Sequence, residues 1–170
     1  LPTNLRSMIL SRNEVINAEL KDYREIHDLI GSLDGLVQHP VHFYNIMMRY
    51  FGDSFFVVKR NGTIAGVVWG FESQVDPEVF FLWQIGVSEQ HRGSGIAPAL
   101  VMRLIEHARE RGCKKMHVTA ETGNIPSWKL FKKMKFKNIS NGDTVVENDI
   151  IAIVNYYGSG TNQVLFEYQL

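Results

Sequence analysis

The stretch Ser88-Glu89-Gln90-His91-Arg92-Gly93-Ser94-Gly95-Ile96-Ala97 has the residue types and spacing of an anion site. Two glycines separated by one residue allow a tight turn and leave backbone N–H groups facing outward, with no side chain to block a ligand. Where such a turn opens a helix, those N–H groups and the positive end of the helix dipole attract phosphate. The chemistry on offer is the cradling of a diphosphate by backbone. The turn is not a P-loop, because no Lys-Ser/Thr follows its last glycine. It is not G-x-G-x-x-G within a repeating βαβ pattern either.

Proton transfer needs titratable side chains, and Glu72, Glu121, His117 and Asp34 are placed to supply them. Glu72 and Glu121 end strand-like runs, His117 lies inside one, and Asp34 sits in a loop. Each also has an ordinary structural role open to it. An Asp after Ser-Leu ends a helix, a strand-end Glu is solvated, and a lone strand His packs in the core or on the surface. Trp83 is either a core aromatic or a wall against which a cation packs. His39 and His42 stand three apart without a third ligand, so no metal constellation is present.

Those residues need elements to hold them. Val79–Val87 is an apolar run of strand length, rich in β-formers. After Gly95, apolar residues recur at helical spacing through Ala99, Leu100, Met102, Leu104, Ile105 and Ala108. A buried strand, a glycine turn and a helix reaching Arg111 therefore follow one another. Upstream, Leu20, Tyr23, Ile26, Leu29 and Ile30 predict an amphipathic helix over 19–30, and Phe43, Ile46, Met47 and Tyr50 a second over 40–51. Runs 55–60 and 63–71 then read as strands joined by Asn61-Gly62, a strong hairpin signal. Residues 115–120 read as a strand and 126–134 as a short helix. Residues 149–157 and 164–168 are expected to pair as a terminal hairpin around Gly158-Ser-Gly-Thr-Asn162. Residues 1–11 carry no strong pattern and are expected to be irregular or a processing remnant.

Composition sets the bounds. A chain of 170 residues with 45% hydrophobic content and formal net charge +0 is expected to form one domain over 1–170, with a real core. Balanced charge gives no field favouring nucleic acid or an anionic membrane, so the partner is small or locally recognised. The single cysteine, Cys113, forbids an internal disulfide and a Cys-rich metal site. No apolar run reaches the roughly 20 residues of a membrane span, and no signal-peptide core opens the chain. The expectation is a cytoplasmic protein.

Gln90-x-x-Gly93-x-Gly95 resembles the (Q/R)-x-x-G-x-(G/A) pyrophosphate motif of the GNAT acyltransferases. Asn124-x-x-Ser127-Trp128-x-Leu130-Phe131, followed by Phe136, resembles the second half-motif of that family, in which an Asn and the next helix flank the thiol end of the coenzyme. The element order is also similar. The resemblance implies an α/β fold, of α+β mixed-sheet type, with a central mostly antiparallel sheet, flanking helices and a terminal hairpin. It implies acetyl-CoA as co-substrate and no metal, with the coenzyme against Ile85, Gly86, Val87, Gln90, His91, Arg92, Gly93, Ser94, Gly95, Ile96, Ala97, Asn124, Ser127 and Phe131. Over 32–136, Gly31-Ser-Leu-Asp34, Tyr50-Phe-Gly-Asp-Ser54 and Phe81-Leu-Trp-Gln-Ile-Gly-Val87 look like the diaminobutyrate acetyltransferases, which acetylate the side-chain amine of a small diamino acid. That likeness puts Asp34, Tyr44, Glu72 and Trp83 at the acceptor. Two departures bear on the substrate more than on the reaction. The segment after Asp34 is longer and carries His39-Pro40, and the C-terminal hairpin lacks an acidic His-Asp-Glu run.

Acetyl transfer to an amine requires a base for the ammonium proton and a donor for the developing oxyanion. Glu72, Glu121, His117 and Asp34 all stay open as the base. A β-bulge near Ile85-Gly86 would turn the N–H of Val87 or Ile85 toward the oxyanion. Many family members place at Phe131 a Tyr that protonates the leaving thiolate. With a thiol pKa near about 8.5, solvent or Ser127 can serve instead. No Cys lies in the motifs, so attack is direct and within a ternary complex. Three readings compete with a diamino-acid transferase: a module that holds CoA without transfer, a transferase for a polyamine or aminoglycoside, and one for a peptide N-terminus. The hairpin at a sheet edge further predicts a homodimer.

Overall fold

The computed structural model describes residues 13–170, so the expectation for 1–11 falls outside them. Two helices lie ahead of the main strands: α1, Tyr23–Gly31, buries Ile26, Leu29 and Ile30, and α2, Val41–Phe51, buries Tyr44 and Met48. Both sets sit three or four residues apart, the spacing that puts them on one helix face. The strands are β1 (Ile16–Asn17), β2 (Phe56–Arg60), β3 (Thr63–Glu72), β4 (Val79–Val87), β5 (Lys115–Glu121), β6 (Lys137–Asn138), β7 (Thr144–Glu147), β8 (Ile150–Ile153) and β9 (Gln163–Gln169). Between β4 and β5 lies α3, Ile96–Glu110, and after β5 comes α4, Ile125–Lys133.

One sheet takes in these strands in the order β1-β2-β3-β4-β5-β9-β8-β7, with β6 also on β9. All of its pairs are antiparallel except β4 with β5. On one face α1 and α2 cover Val57, Val67 and Trp69, with Trp69 stacked on Phe55 at 4.6 Å. On the other, α3 and α4 close a larger core around Leu100, Leu104, Phe131 and Phe166. A Cβ at Gly66 would stand 2.7 Å from Ile96 and 3.1 Å from Leu100, so the missing side chain lets the first turn of α3 lie on the sheet.

The terminal hairpin corrects the expectation. The tight hairpin joins β7 to β8 through Asn148-Asp149, at φ 50° and 61°, as a two-residue turn of this kind requires. Strand β8 meets β9 at Ile153 and Gln163, whereas β9 pairs with β5 from Lys115–Gln169 to Glu121–Gln163. The expected pairing of β8 with β9 is therefore present but short, because β6 takes the same edge of β9 at Phe166 and Glu167.

The bulge is also displaced from its expected place. Trp69 pairs with Gln84 and Gly70 with Leu82, so Trp83 is the extra residue, rather than Ile85 or Gly86. A Cβ at Gly70 would lie 2.2 Å from the carbonyl oxygen of Phe81, so only glycine fits opposite the kink. The parallel ladder of β4 with β5 ends at Leu82–Val118, and past the bulge the two strands separate.

Candidate active site

The opening between the separated strands is a cleft of about 770 Å³. One end is the glycine turn. Gly93 and Gly95 adopt φ of 77° and 86°, and Gly95 caps α3. A Cβ at Gly93 would meet nothing within 4 Å, so the space before the turn stays open. The first N–H groups of α3 have no partner within the helix and face this end with the positive dipole. A diphosphate fits this cradle. Of the residues expected there, His91, Arg92, Gly93, Gly95, Ile96 and Ala97 line the cleft, and His91 is fixed by a 2.8 Å contact between its Nδ1 and Ser88 Oγ. Gln90 and Ser94 are exposed outside the lining.

Ile85, Gly86 and Val87 form the wall beside the opening. Backbone N–H groups alternate in direction along a strand, and Ser88 N donates to Ala65 O on β3. The N–H groups of Val87 and Ile85 therefore point away from β3, toward the side that β5 has left. The facing wall holds Glu121, Asn124, Ser127, Leu130 and Lys133. Asn124 Oδ1 accepts from Ser127 N at 3.3 Å and so caps α4. Ser127, Leu130 and Lys133 recur every three residues and share one side of α4. That stripe was readable in the sequence, yet Leu130 and Lys133 were not expected in the site.

The α1–α2 loop also borders the cleft. Leu33, Asp34, Gly35 and Leu36 line the cleft, and Asn124 Nδ2 donates to Gly35 O at 3.4 Å. Gln84, 6% exposed, pins the same loop from below through Nε2 to Val37 O at 2.8 Å. Its Oε1 accepts from Tyr44 Oη and Trp69 Nε1, both at 3.4 Å. A buried amide with three such contacts holds the loop to the kinked strand. Sequence reading missed it, because a Gln in an apolar strand gives no sign of what it bonds.

Several expected residues lie elsewhere. Glu72 is remote from the cleft, because the antiparallel register sets it against Phe80, at the opposite end of β4 from Val87. There it accepts from Arg111 Nε at 2.6 Å. Tyr44 is fully buried and supports the loop from beneath rather than facing a ligand, and burial raises its pKa. Phe131, 1% exposed, turns away from the cleft into the core, 5.4 Å from Phe136 and 5.8 Å from Phe166. Trp83 is 37% exposed on the sheet face opposite α3, with its ring 6.0 Å from that of His39. His117 shares that face, and its Nε2 lies 3.0 Å from Glu167 Oε2. Among the described residues, no group of three His, Cys, Asp or Glu is placed to hold a metal, and no helix is long and apolar enough to cross a membrane.

A kinked strand splayed from its parallel neighbour, with a glycine cradle at a helix start beyond it, defines an acyl-CoA-dependent N-acyltransferase fold. The chain belongs to the acetyltransferase (GNAT) family, whose profile matches residues 15–136. It is 28% identical over 124 residues to the L-2,4-diaminobutyric acid acetyltransferase of Vibrio parahaemolyticus, covering 73% of this chain and 68% of that protein. It is 31% identical over 114 residues to the protein of the same name from Wolinella succinogenes, covering 66% of each. Among solved structures, the diaminobutyrate acetyltransferase EctA from Paenibacillus lautus, in complex with L-2,4-diaminobutyric acid and coenzyme A, superposes with a TM-score of 0.73 at 24% identity, over 92% of this chain and 95% of that one. Ard1 from Thermoplasma volcanium gives a TM-score of 0.76 at 18% identity, over 94% and 98%. At those identities the structures speak for the fold.

Proposed function

We propose that this protein transfers the acetyl group of acetyl-CoA to a primary amine of a small diamino acid, 2,4-diaminobutyrate or a near analogue, by direct attack in a ternary complex. The observation that carries the reading is the splay of β4 from β5 after Trp83, which brings the N–H groups of Ile85 and Val87, the glycine cradle and Asp34 around one cleft. The choice of a diamino acid is supported by the relatives' names.

Of the four base candidates, Asp34 and Glu121 line the cleft. In our reading Glu121 takes the ammonium proton, directly or through water, and Asp34 draws the cationic acceptor to the opening. The freed amine attacks the thioester carbonyl, and the oxyanion meets the N–H of Ile85 or Val87. Collapse of the tetrahedral adduct releases the thiolate of CoA, which solvent or Ser127 protonates, since Phe131 has no proton to give and is buried. We read the chain as a single such domain acting in the cytoplasm. A second copy would pair along the β7–β8 edge, where Val146 is 68% and Ile151 48% exposed. Light scattering of the purified protein decides that last point, and a monomer across the micromolar range would remove it.

The activity is tested by mixing the protein with acetyl-CoA and a thiol-reactive dye against diamino acids, polyamines, aminoglycosides and short peptides. Fastest thiol release is expected with a diamino acid. Turnover confined to another class would overturn the acceptor assignment, and failure to bind CoA by calorimetry would overturn the whole reading.

A further inference from the structure

Asn13 is a polar residue withdrawn from water. It is 2% exposed, and a buried amide needs partners for both its oxygen and its nitrogen. Its Nδ2 donates to the carbonyl oxygen of Ser94 at 3.2 Å, across 81 positions of sequence, and its Oδ1 accepts from Arg60. Arg60 in turn donates to Lys59 O at 3.1 Å. The sheet brings these groups together. Strand β1 runs antiparallel to β2 with Ile16 opposite Val57, and the same register carried back three residues sets Asn13 opposite Arg60. Val15 packs against the larger core and keeps the segment in that place.

We propose that Asn13 is a positioning residue for the diphosphate of CoA, acting through Ser94 on the N–H of Gly95. The proposal rests on the acetyl-CoA reading above and names what aims one of the donors of the cradle. A trans peptide unit points its C=O and its N–H in opposite directions. Gly95 borders the cleft and Asn13 does not, so the bond that draws Ser94 O back to Asn13 turns the N–H of Gly95 forward to the opening. Donors there are few. Ala99 N makes the first bond of α3, to Gly95 O, and of the residues ahead of it Pro98 has no N–H to give. Gly95, Ile96 and Ala97 are left to offer theirs, and all three border the cleft.

The remaining fastenings of the turn are local. Ser94 Oγ donates to His91 O at 2.6 Å, and Ser94 N reaches the same oxygen at 3.4 Å. They close the turn on itself, whereas Asn13 ties its last peptide to the sheet. Gly95, at φ 86°, has no side chain to resist rotation of that peptide, so a grip from outside the turn counts. The residue type fits this task. Arg60 has only donors to offer and a carbonyl oxygen only accepts, so the bridge needs an acceptor and a donor on one short side chain. A carboxylate would satisfy Arg60 and repel Ser94 O. An amide serves both.

The test compares acetyl-CoA with S-acetylpantetheine, the same thioester arm without the diphosphate, in wild type and Asn13→Ala. Thiol release is followed with the fastest amine of the panel above, and thermal melting reports folding. With acetyl-CoA, Asn13→Ala is expected to raise KM about five- to tenfold, as loss of one buried hydrogen bond would, with kcat within about twofold. The KM for the amine and the kcat/KM for S-acetylpantetheine are expected to stay within about twofold of wild type. An unchanged KM for acetyl-CoA would overturn the proposal. An equal loss with both donors would overturn it too, since that is the mark of a merely structural role. Either result leaves the acetyl-CoA reading intact, whereas a wild-type protein that does not bind CoA by calorimetry would overturn that reading and this proposal together. Should Asn13→Ala fail to fold, Asn13→Ser, whose hydroxyl is too short to span from Arg60 to Ser94, decides by the same comparison of donors.

Discussion

At Gly93 two facts coincide: the backbone sits at φ 77°, and a Cβ there would project into open space. Gly93→Val should therefore strain the turn by about 1–2 kcal/mol without touching the core, and place a branched side chain where the diphosphate oxygens would lie. Titration with CoA should show binding lost, while thermal melting falls by only a few degrees. Normal affinity in that variant would remove the cradle assignment. Glu72 gives the opposite expectation. Its carboxylate is held by Arg111 far from the cleft, with both side chains well exposed, and such surface pairs contribute about 0–1 kcal/mol. Steady-state rates of Glu72→Gln should match wild type within about twofold. A hundredfold drop would mean that Glu72 reaches the acceptor after all.

At the scale of elements, the site is the product of one kink and one loop. The bulge at Trp83 frees the end of β4 from β5, and Gln84, the next residue, binds the carbonyl of Val37 and so fixes the α1–α2 loop above the opening. Gly86 completes the fit: a Cβ there would stand 2.6 Å from Leu33 and 3.3 Å from Leu36, so the loop packs on the strand itself. Gln84→Leu keeps the volume and orphans the Val37 carbonyl and the Trp69 indole N–H. A stability loss of about 1–3 kcal/mol by urea unfolding is expected, with a raised KM for the amine. An unchanged urea midpoint would show that water replaces those bonds and that the loop is held some other way.

For the molecule as a whole, buried histidine makes stability depend on pH. His107 is 7% exposed between Phe56 and Phe80, and burial pushes its pKa below 6.5, with smaller opposed effects from Asp53 and Arg103. Burial also lowers His39. In each case the unfolded chain binds the proton more readily than the folded one. Stability is thus fully present above pH 6.5 and falls as pH drops below it, toward the lower folded-state value. The urea midpoint should be level from pH 8 to about 7 and decline by pH 5.5. His107→Gln should decline less over that interval, and an equal slope in both proteins would contradict the assignment.

Much of this was legible in the residues themselves. Strand β4 runs from Val79 to Val87, as its apolar β-formers indicate, and the glycine turn and the helical spacing after it mark the cradle. Such local patterns are readable because backbone sterics and one-sided burial act within a few residues. The rest depended on partners distant in sequence. Strand β8 meets β9 only at Ile153 and Gln163 because β6 takes the same edge of β9 at Phe166 and Glu167, while Asn148-Asp149 turns β7 back along β8. The bulge falls at Trp83 because Gly70, thirteen residues earlier, admits the Phe81 carbonyl. Glu72 and Glu121 both end strands and look alike in the chain, but register carries one to Arg111 and the other to the cleft. His117 reads in the chain as a candidate base, but β9 sets Glu167 beside it, and a contact across fifty residues is made by sheet pairing and leaves no trace in local spacing.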